Sequence, residues 1–259
     1  MKVRFKIHPQ YTETLRDLVK EIAENGVYET AECIYKGRNT LHKLNFRGIN
    51  LNIKSFRHPS GINKYVYTNL RKSKARRSYE NALTLLDRGV STPQPIAWIE
   101  RKKGACLKES YYIALHSPYP NTLRNWENLD AEIRDKVLSA YAKFLLHIHK
   151  QGISHHDMSP GNILWEERDG EIRFDVVDLN RMSLKKKELP LSLCFSNFRN
   201  INLVEEETRR LGEIYGRMRG LPDGEGGQRA VRALRKDRRK KRRLHALKAI
   251  FQRKKESFT

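Results

Sequence analysis

The chain has 259 residues, enough for one large domain or for two lobes sharing a cleft, and 38% of them are hydrophobic. Its 52 Lys and Arg against 30 Asp and Glu leave a formal charge of +22, which points to an anionic partner (nucleic acid, an anionic membrane surface or a phosphorylated substrate) and says nothing of fold. The three cysteines, Cys33, Cys106 and Cys194, stand far apart with no Cys-x-x-Cys spacing, which argues against a disulfide framework or a zinc site and reads as free thiols in a reducing cytosol.

The N-terminus, Met1-Lys2-Val3-Arg4-Phe5-Lys6, has scattered charges and no apolar core, so it does not read as a signal peptide, and no run is long enough to span a bilayer. Short runs with partial alternation predict three antiparallel strands over Glu32–Tyr35, Leu41–Phe46 and Ile49–Phe56, separated by the turn material of residues 36–40 and Arg47-Gly48. Ala75, Tyr79, Ala82, Leu83 and Leu86 fall at helical spacing, with Gly89 placed to cap. Strands follow over Ile96–Glu100 and Tyr111–Leu115. A long helix fits Asp130–Lys150, with Ile133, Val137, Tyr141, Phe144, Leu145 and Ile148 on one face and Gly152 closing it. Two more strands, Asn162–Glu166 and Ile172–Leu179, flank a turn at Arg168-Asp169-Gly170. The remainder is helical and basic. Strands early and helices late suggest two lobes.

Between the long helix and the last two strands lies His155-His156-Asp157-Met158-Ser159-Pro160-Gly161-Asn162. Phosphoryl transfer needs a carboxylate to accept the proton of the attacking hydroxyl and oxygen ligands for Mg²⁺, and the pattern H-x-D-x-x-x-x-N supplies both from one loop. Asp157 is the candidate catalytic base and Asn162 a candidate metal ligand. Asp178, 21 residues after Asp157 and one hairpin later, is the second metal ligand, expected at the end of a buried strand. Lys54, among apolar neighbours on the third strand, is placed to contact the α and β phosphates of ATP. Glu80, on the following helix, is expected to hold it, with Glu100 and Glu109 the other acids of that region. His155 reads as a brace for the loop. His147 and His149 are two apart and do not share a helical face, so they do not read as a metal pair.

These residues make the chain resemble the lipopolysaccharide kinase family of Kdo and heptose kinases, which includes InaA-like proteins. The likeness runs from about Ala31 to Met182. Its marks are Asn52-Ile53-Lys54-Ser55-Phe56, Ala75-Arg76-Arg77-Ser78-Tyr79-Glu80-Asn81-Ala82, residues 89–97, the Asp157 loop, and Val177-Asp178-Leu179-Asn180-Arg181-Met182. The resemblance implies an α+β, two-lobed protein-kinase-like fold: an N-terminal antiparallel sheet with one helix over about residues 1–116, a mainly helical C-terminal lobe over about 117–228, and a basic helical tail over about 229–259. It implies ATP-dependent phosphorylation of a sugar hydroxyl of the lipopolysaccharide core, Kdo or heptose, by a cytoplasmic enzyme at the inner face of the inner membrane. A protein kinase, an antibiotic-type kinase and a non-catalytic pseudokinase are the competing readings.

Three features depart from the protein-kinase pattern. The loop expected to cover the phosphates carries a single glycine, Gly37. His156 stands where an Arg would read a phosphorylated activation loop. No Ala-Pro-Glu follows Asp178. The last two suit a small-molecule kinase. In the tail, eight of the nine residues from Arg235 to Arg243 are Lys or Arg, followed by Leu244, Leu247, Ile250 and Phe251 at helical spacing. Three readings stay open: a solvated helix docked by its apolar stripe, a peripheral contact with an anionic membrane surface, and a nucleic-acid arm, the least favoured.

Overall fold

The computed structural model describes residues 1–27, 30–56, 72–104, 106–201 and 203–256, with the side chains of 200, 245 and 247–256 outside the description. The chain forms two compact units: Met1–Tyr119 with Asp175–Asn180, and Pro120–Phe174 with Arg181–Thr259.

The first unit is built on a six-stranded antiparallel sheet. Its strands are β1 (Lys2–Ile7), β2 (Glu32–Lys36), β3 (Asn39–Phe46), β4 (Ile49–Phe56), β5 (Pro95–Lys103) and β6 (Cys106–Leu115), in the order β1-β5-β6-β4-β3-β2. Side chains alternate across a pleated sheet, and here the alternation sorts two cores. Leu51, Ile53, Ile99, Tyr111 and Ile113 turn to one face and pack with Leu15, Leu18, Val19 and Ile22 of helix α1 (Thr12–Asn25). Each such side chain, taken fully out of water, contributes roughly 1.5–3 kcal/mol. Phe56 and Trp98, with Tyr112 packed against them, turn to the other face and meet Ala75 and Tyr79 of helix α2 (Lys74–Asp87). Lys54 has the parity of Phe56 and therefore lies on the α2 face, opposite Leu41 of β3 and Tyr112 of β6. The unit thus carries two helices where the sequence predicts one. β1 escapes the sequence reading because it is exposed at most positions and pairs along an edge, whereas α1 does carry helical spacing at Leu15, Leu18, Val19 and Ile22.

The second unit holds β7 (Asn121–Thr122), α3 (Ala131–Lys150), β8 (Ile153–His155), β9 (Ile163–Arg168), most of β10 (Glu171–Val176), β11 (Met182–Leu184), a single turn α4 (Leu191–Cys194), α5 (Glu205–Met218) and α6 (Glu225–Glu256). β9 lies between β10 and β7, and β8 pairs antiparallel with β11. The buried face of α3 (Val137, Leu138, Tyr141, Leu145, Ile148) packs beside α5. Tyr215 of α5 meets Phe195 and Phe198 edge to face at 5.6 and 5.3 Å between ring centroids.

Helix α6 folds back on α5 through glycines. A Cβ at Gly226 would stand 2.8 Å from the Cα of Gly216 and against the carbonyl oxygen of Gly212, and one at Gly212 would stand 2.5 Å from the Ala230 Cβ. Backbones this close tolerate no added methyl. The inner side of α6 is apolar, with Ala230, Val231 and Leu234 buried, so its first half docks as a helical hairpin. Of the predicted stripe, Leu244 is exposed, and Leu247, Ile250 and Phe251 fall on side chains outside the described residues. Among the described residues, no helix is long and apolar enough to cross a membrane.

His149 is fully buried in this unit. Its Nδ1 lies 2.8 Å from the Tyr215 hydroxyl and its Nε2 3.1 Å from the Asn197 amide nitrogen. Burial, helped by the nearby Arg219 charge, pushes its pKa down to about 3. Between there and the ordinary value of 6.5 the unfolded chain binds a proton that the folded chain refuses, so stability falls as pH falls through this window.

Two outcomes follow from this packing. Gly226→Ala costs about 1–3 kcal/mol and lowers the melting temperature by several degrees in thermal unfolding; an unchanged melting point contradicts the close helix crossing. His149→Gln is less stable than wild type by about 1–3 kcal/mol at pH 7. That gap narrows on titration towards pH 5, because only the wild type loses stability through the imidazole. A gap that stays constant across the titration contradicts the buried neutral histidine.

Candidate functional site

The chemistry-bearing residues divide between the two units. In the first, the segment Asp175–Asn180 is tied down at almost every residue. The Asp175 carboxylate is buried and accepts from the hydroxyls of Ser91 at 2.5 Å and Ser117 at 2.7 Å. The Val176 amide donates to the Ser91 carbonyl at 3.1 Å, and its own carbonyl accepts from the Thr92 hydroxyl at 2.7 Å. From α2, Asn81 donates to the Leu179 carbonyl at 2.6 Å and Arg77 to the Asn180 carbonyl at 2.8 Å. A buried carboxylate held by two hydroxyls is satisfied without a counter-ion.

Asp178 sits in the middle of this clamp. β10 stops at Val176, three residues short of the predicted strand end, and Asp178 adopts φ +60°, the left-handed region that side-chain-bearing residues avoid. Asp is among the residues that tolerate it best, because its short carboxylate bonds locally. Asp178 Oδ1 accepts from Lys54 Nζ at 2.7 Å and from Asn180 Nδ2 at 2.5 Å. The two charged side chains of the ion pair are 21% and 23% exposed, sheltered enough for the pair to hold its geometry.

The pairing predicted between Lys54 and Glu80 is not formed. Glu80 bonds Lys72 at 2.7 Å and Arg76 at 2.9 Å. Partial burial opposes its charge, but these two cations hold its carboxyl below the usual range. The reason is local: Arg76 lies one turn before Glu80 on the same helix, where an i,i+4 pair forms without help. Of the two other acids considered, Glu109 is taken by Arg101 at 2.7 Å, and Glu100 is buried on β5. Gly37 sits in the turn between β2 and β3 with its amide donating to the Asn39 carbonyl at 3.1 Å, so that N–H serves the hairpin. Lys74, at the start of α2, has its pKa lowered, first by burial and then by Arg38 and Arg77.

In the second unit, α3 ends at Lys150 and Gly152, at φ +70°, turns the chain into β8. A side chain there would strike the carbonyls of Lys185 and Lys187. β8 then delivers His155, buried, whose Nδ1 accepts from the Asp157 amide at 3.1 Å. That is the brace the sequence predicts. Asn162 Nδ2 donates to the Asp157 carbonyl at 2.9 Å, closing the loop and leaving Asn162 Oδ1 as the atom able to meet a cation. Gly161 packs against the Arg124 guanidinium, so a side chain there would displace the end of Arg124. Arg181, which the sequence reading did not assign, reaches the Asp157 carboxylate at 3.4 Å. His156 replaces the regulatory Arg and does something local: its amide donates to the Arg181 carbonyl at 2.9 Å, and its Nε2 lies 2.7 Å from the Ser183 hydroxyl.

The oxygens of Asp178 and Asn162 are hard donors of the kind Mg²⁺ selects. Among the described residues, no cluster of three His, Cys, Asp or Glu forms a metal cage of its own.

No curated protein matches the chain. Among solved structures, it is similar to one described as WaaP in complex with acyl carrier protein, with a TM-score of 0.53 at 16% identity, covering 83% of this chain and 89% of that one. At that identity the likeness shows the fold. The family model described as lipopolysaccharide kinase (Kdo/WaaP) family matches residues 36–215, more than half of the chain and every residue singled out above for chemistry. The chain therefore belongs to the lipopolysaccharide kinase (Kdo/WaaP) family.

Proposed function

We propose that the chain transfers phosphate from ATP to a Kdo or heptose hydroxyl of the lipopolysaccharide core. The observation that carries this reading is the Lys54–Asp178 ion pair at 2.7 Å. It sets a phosphate-binding cation and a metal-binding carboxylate side by side in a chain whose family is one of kinases. Kinase membership implies ATP use.

Each residue has a part. Lys54 binds phosphate oxygens as a point charge. Asp178 and Asn162 would hold Mg²⁺, which when bound supplies positive charge to the phosphate oxygens. Asp157 accepts or orients the proton of the attacking sugar hydroxyl, and Arg181 and the His155 brace fix where its carboxylate points. Glu80 steadies the first turn of α2 through Lys72 and Arg76 rather than binding nucleotide. Gly37 serves the β2–β3 turn.

The reading places the protein in the cytoplasm with a peripheral contact on an anionic membrane surface. Residues 225–256 support this: they hold fourteen Lys and Arg against three acids, half of the whole chain's surplus in one helix. The same charge suits the anionic core substrate.

The test is phosphate transfer from labelled ATP to core oligosaccharide, with and without its heptose residues to separate the two sugars. Asp157→Asn lowers kcat about 10²- to 10⁴-fold, the range for loss of a general base. Transfer by that variant at the wild-type rate, or transfer to protein substrates alone, contradicts the reading.

A further inference from the structure

On the face of β4 that carries Lys54, a second lysine stands beside the first. The Lys74 ammonium lies 5.9 Å from the centroid of the Phe56 ring, and the Lys54 ammonium 5.6 Å from the same centroid. Both cations therefore lie over the same aromatic ring. Arg38, from the turn between β2 and β3, and Arg77, one turn along α2, lie within electrostatic range of Lys74, as do Lys54 and Asp178.

The charges do not balance. Arg38, Arg77 and Lys54 all oppose the charge on Lys74 while Asp178 favours it, and Asp178 is already shared by Lys54 and Asn180. Glu80, the nearest acid on α2, is spent on Lys72 and Arg76. No acid among the described residues pairs with Lys74 at salt-bridge distance. It occupies the first residue of α2, after the Ser73 cap, where the helix dipole also disfavours a cation. A half-buried, unpaired ammonium among like charges costs free energy in the empty protein. An anion of high charge density placed among these groups removes that cost. The polyphosphate of a nucleotide is such an anion, and a glycine-rich loop to cradle it with backbone N–H groups is what this chain lacks.

We propose that Lys74 is a second phosphate-binding lysine, acting with Lys54 on the phosphates of the nucleoside triphosphate in place of a glycine-rich loop. This rests on the kinase reading above. Lys54 is fixed by Asp178, whereas Lys74 is held only by the helix that carries it and the ring beneath it, so it is the cation able to follow the terminal phosphates.

Binding of Mg-ATP and of adenosine is measured by titration calorimetry on the full chain and on Lys74→Met and Lys74→Arg. Lys74→Met raises the Kd for Mg-ATP about 10- to 100-fold, the loss expected for one charge-assisted contact, and leaves adenosine binding unchanged. Lys74→Arg recovers most of the affinity. In steady state the KM for ATP rises more than kcat falls. Without nucleotide, Lys74→Met melts at or above the wild-type temperature, because an uncompensated cation has gone; a merely structural lysine would give a lower melting point. Wild-type protein that binds Mg-ATP, with Lys74→Met binding it equally well, overturns the Lys74 assignment alone. Wild-type protein that binds no Mg-ATP overturns the kinase reading and this one with it.

Discussion

The ion pair between Lys54 and Asp178 is the interaction on which the rest depends. It joins a residue in mid-sheet to one 124 positions later, inside the short segment Asp175–Asn180 that belongs to the first unit. A chain holds such an excursion only if its groups are satisfied throughout. Here every part is answered: Asp175 by two hydroxyls, Val176 by Ser91 and Thr92, the carbonyls of Leu179 and Asn180 by two side chains of α2. The left-handed backbone at Asp178 is the strained point in the clamp, and strain of this kind persists where surrounding contacts over-determine it. Stability is spent there to set one carboxylate against one lysine.

That clamp also gives a physical meaning to the stretch Gly89–Ala97. As sequence, it was a mark of family likeness with no assigned task. In the structure, Ser91 and Thr92 are two of the hands that hold the Asp178 segment. Helix α2 has a similar double duty. One face packs Ala75 and Tyr79 into the sheet, while Arg77 and Asn81 reach the segment. A substitution in either place would disturb the segment that carries Asp178.

Local pattern made most of this legible. The three-strand meander, the strands near 96–100 and 111–115, and the helices over 75–86 and 130–150 carry periods of 2 or 3.6 strong enough to read directly. The Asp157 loop was legible because its spacing is dictated by chemistry. What stayed hidden depends on tertiary choice. Glu80 has helical spacing suited to Lys54, yet Arg76 and Lys72 are nearer in sequence and take it. Asp175 reads as a strand residue, and only three-dimensional proximity to Ser91 and Ser117 makes it an anchor. Arg181 follows Asp178 closely in the sequence, but it reaches Asp157 only in the folded chain, beside the β8–β11 pairing. Lys74 was invisible because most lysines face water, and its meaning comes from Phe56 and three other cations around it.

If the ion pair is the heart of the phosphate site, Lys54 and Asp178 must act as one unit. The direct test is a double-mutant cycle on kcat/KM for ATP, using Lys54→Met, Asp178→Asn and the double variant, with core oligosaccharide as acceptor. Residues that work as a unit are strongly non-additive. The account predicts that the double variant is little worse than the poorer single variant. Losses that simply add would show two independent residues and contradict it.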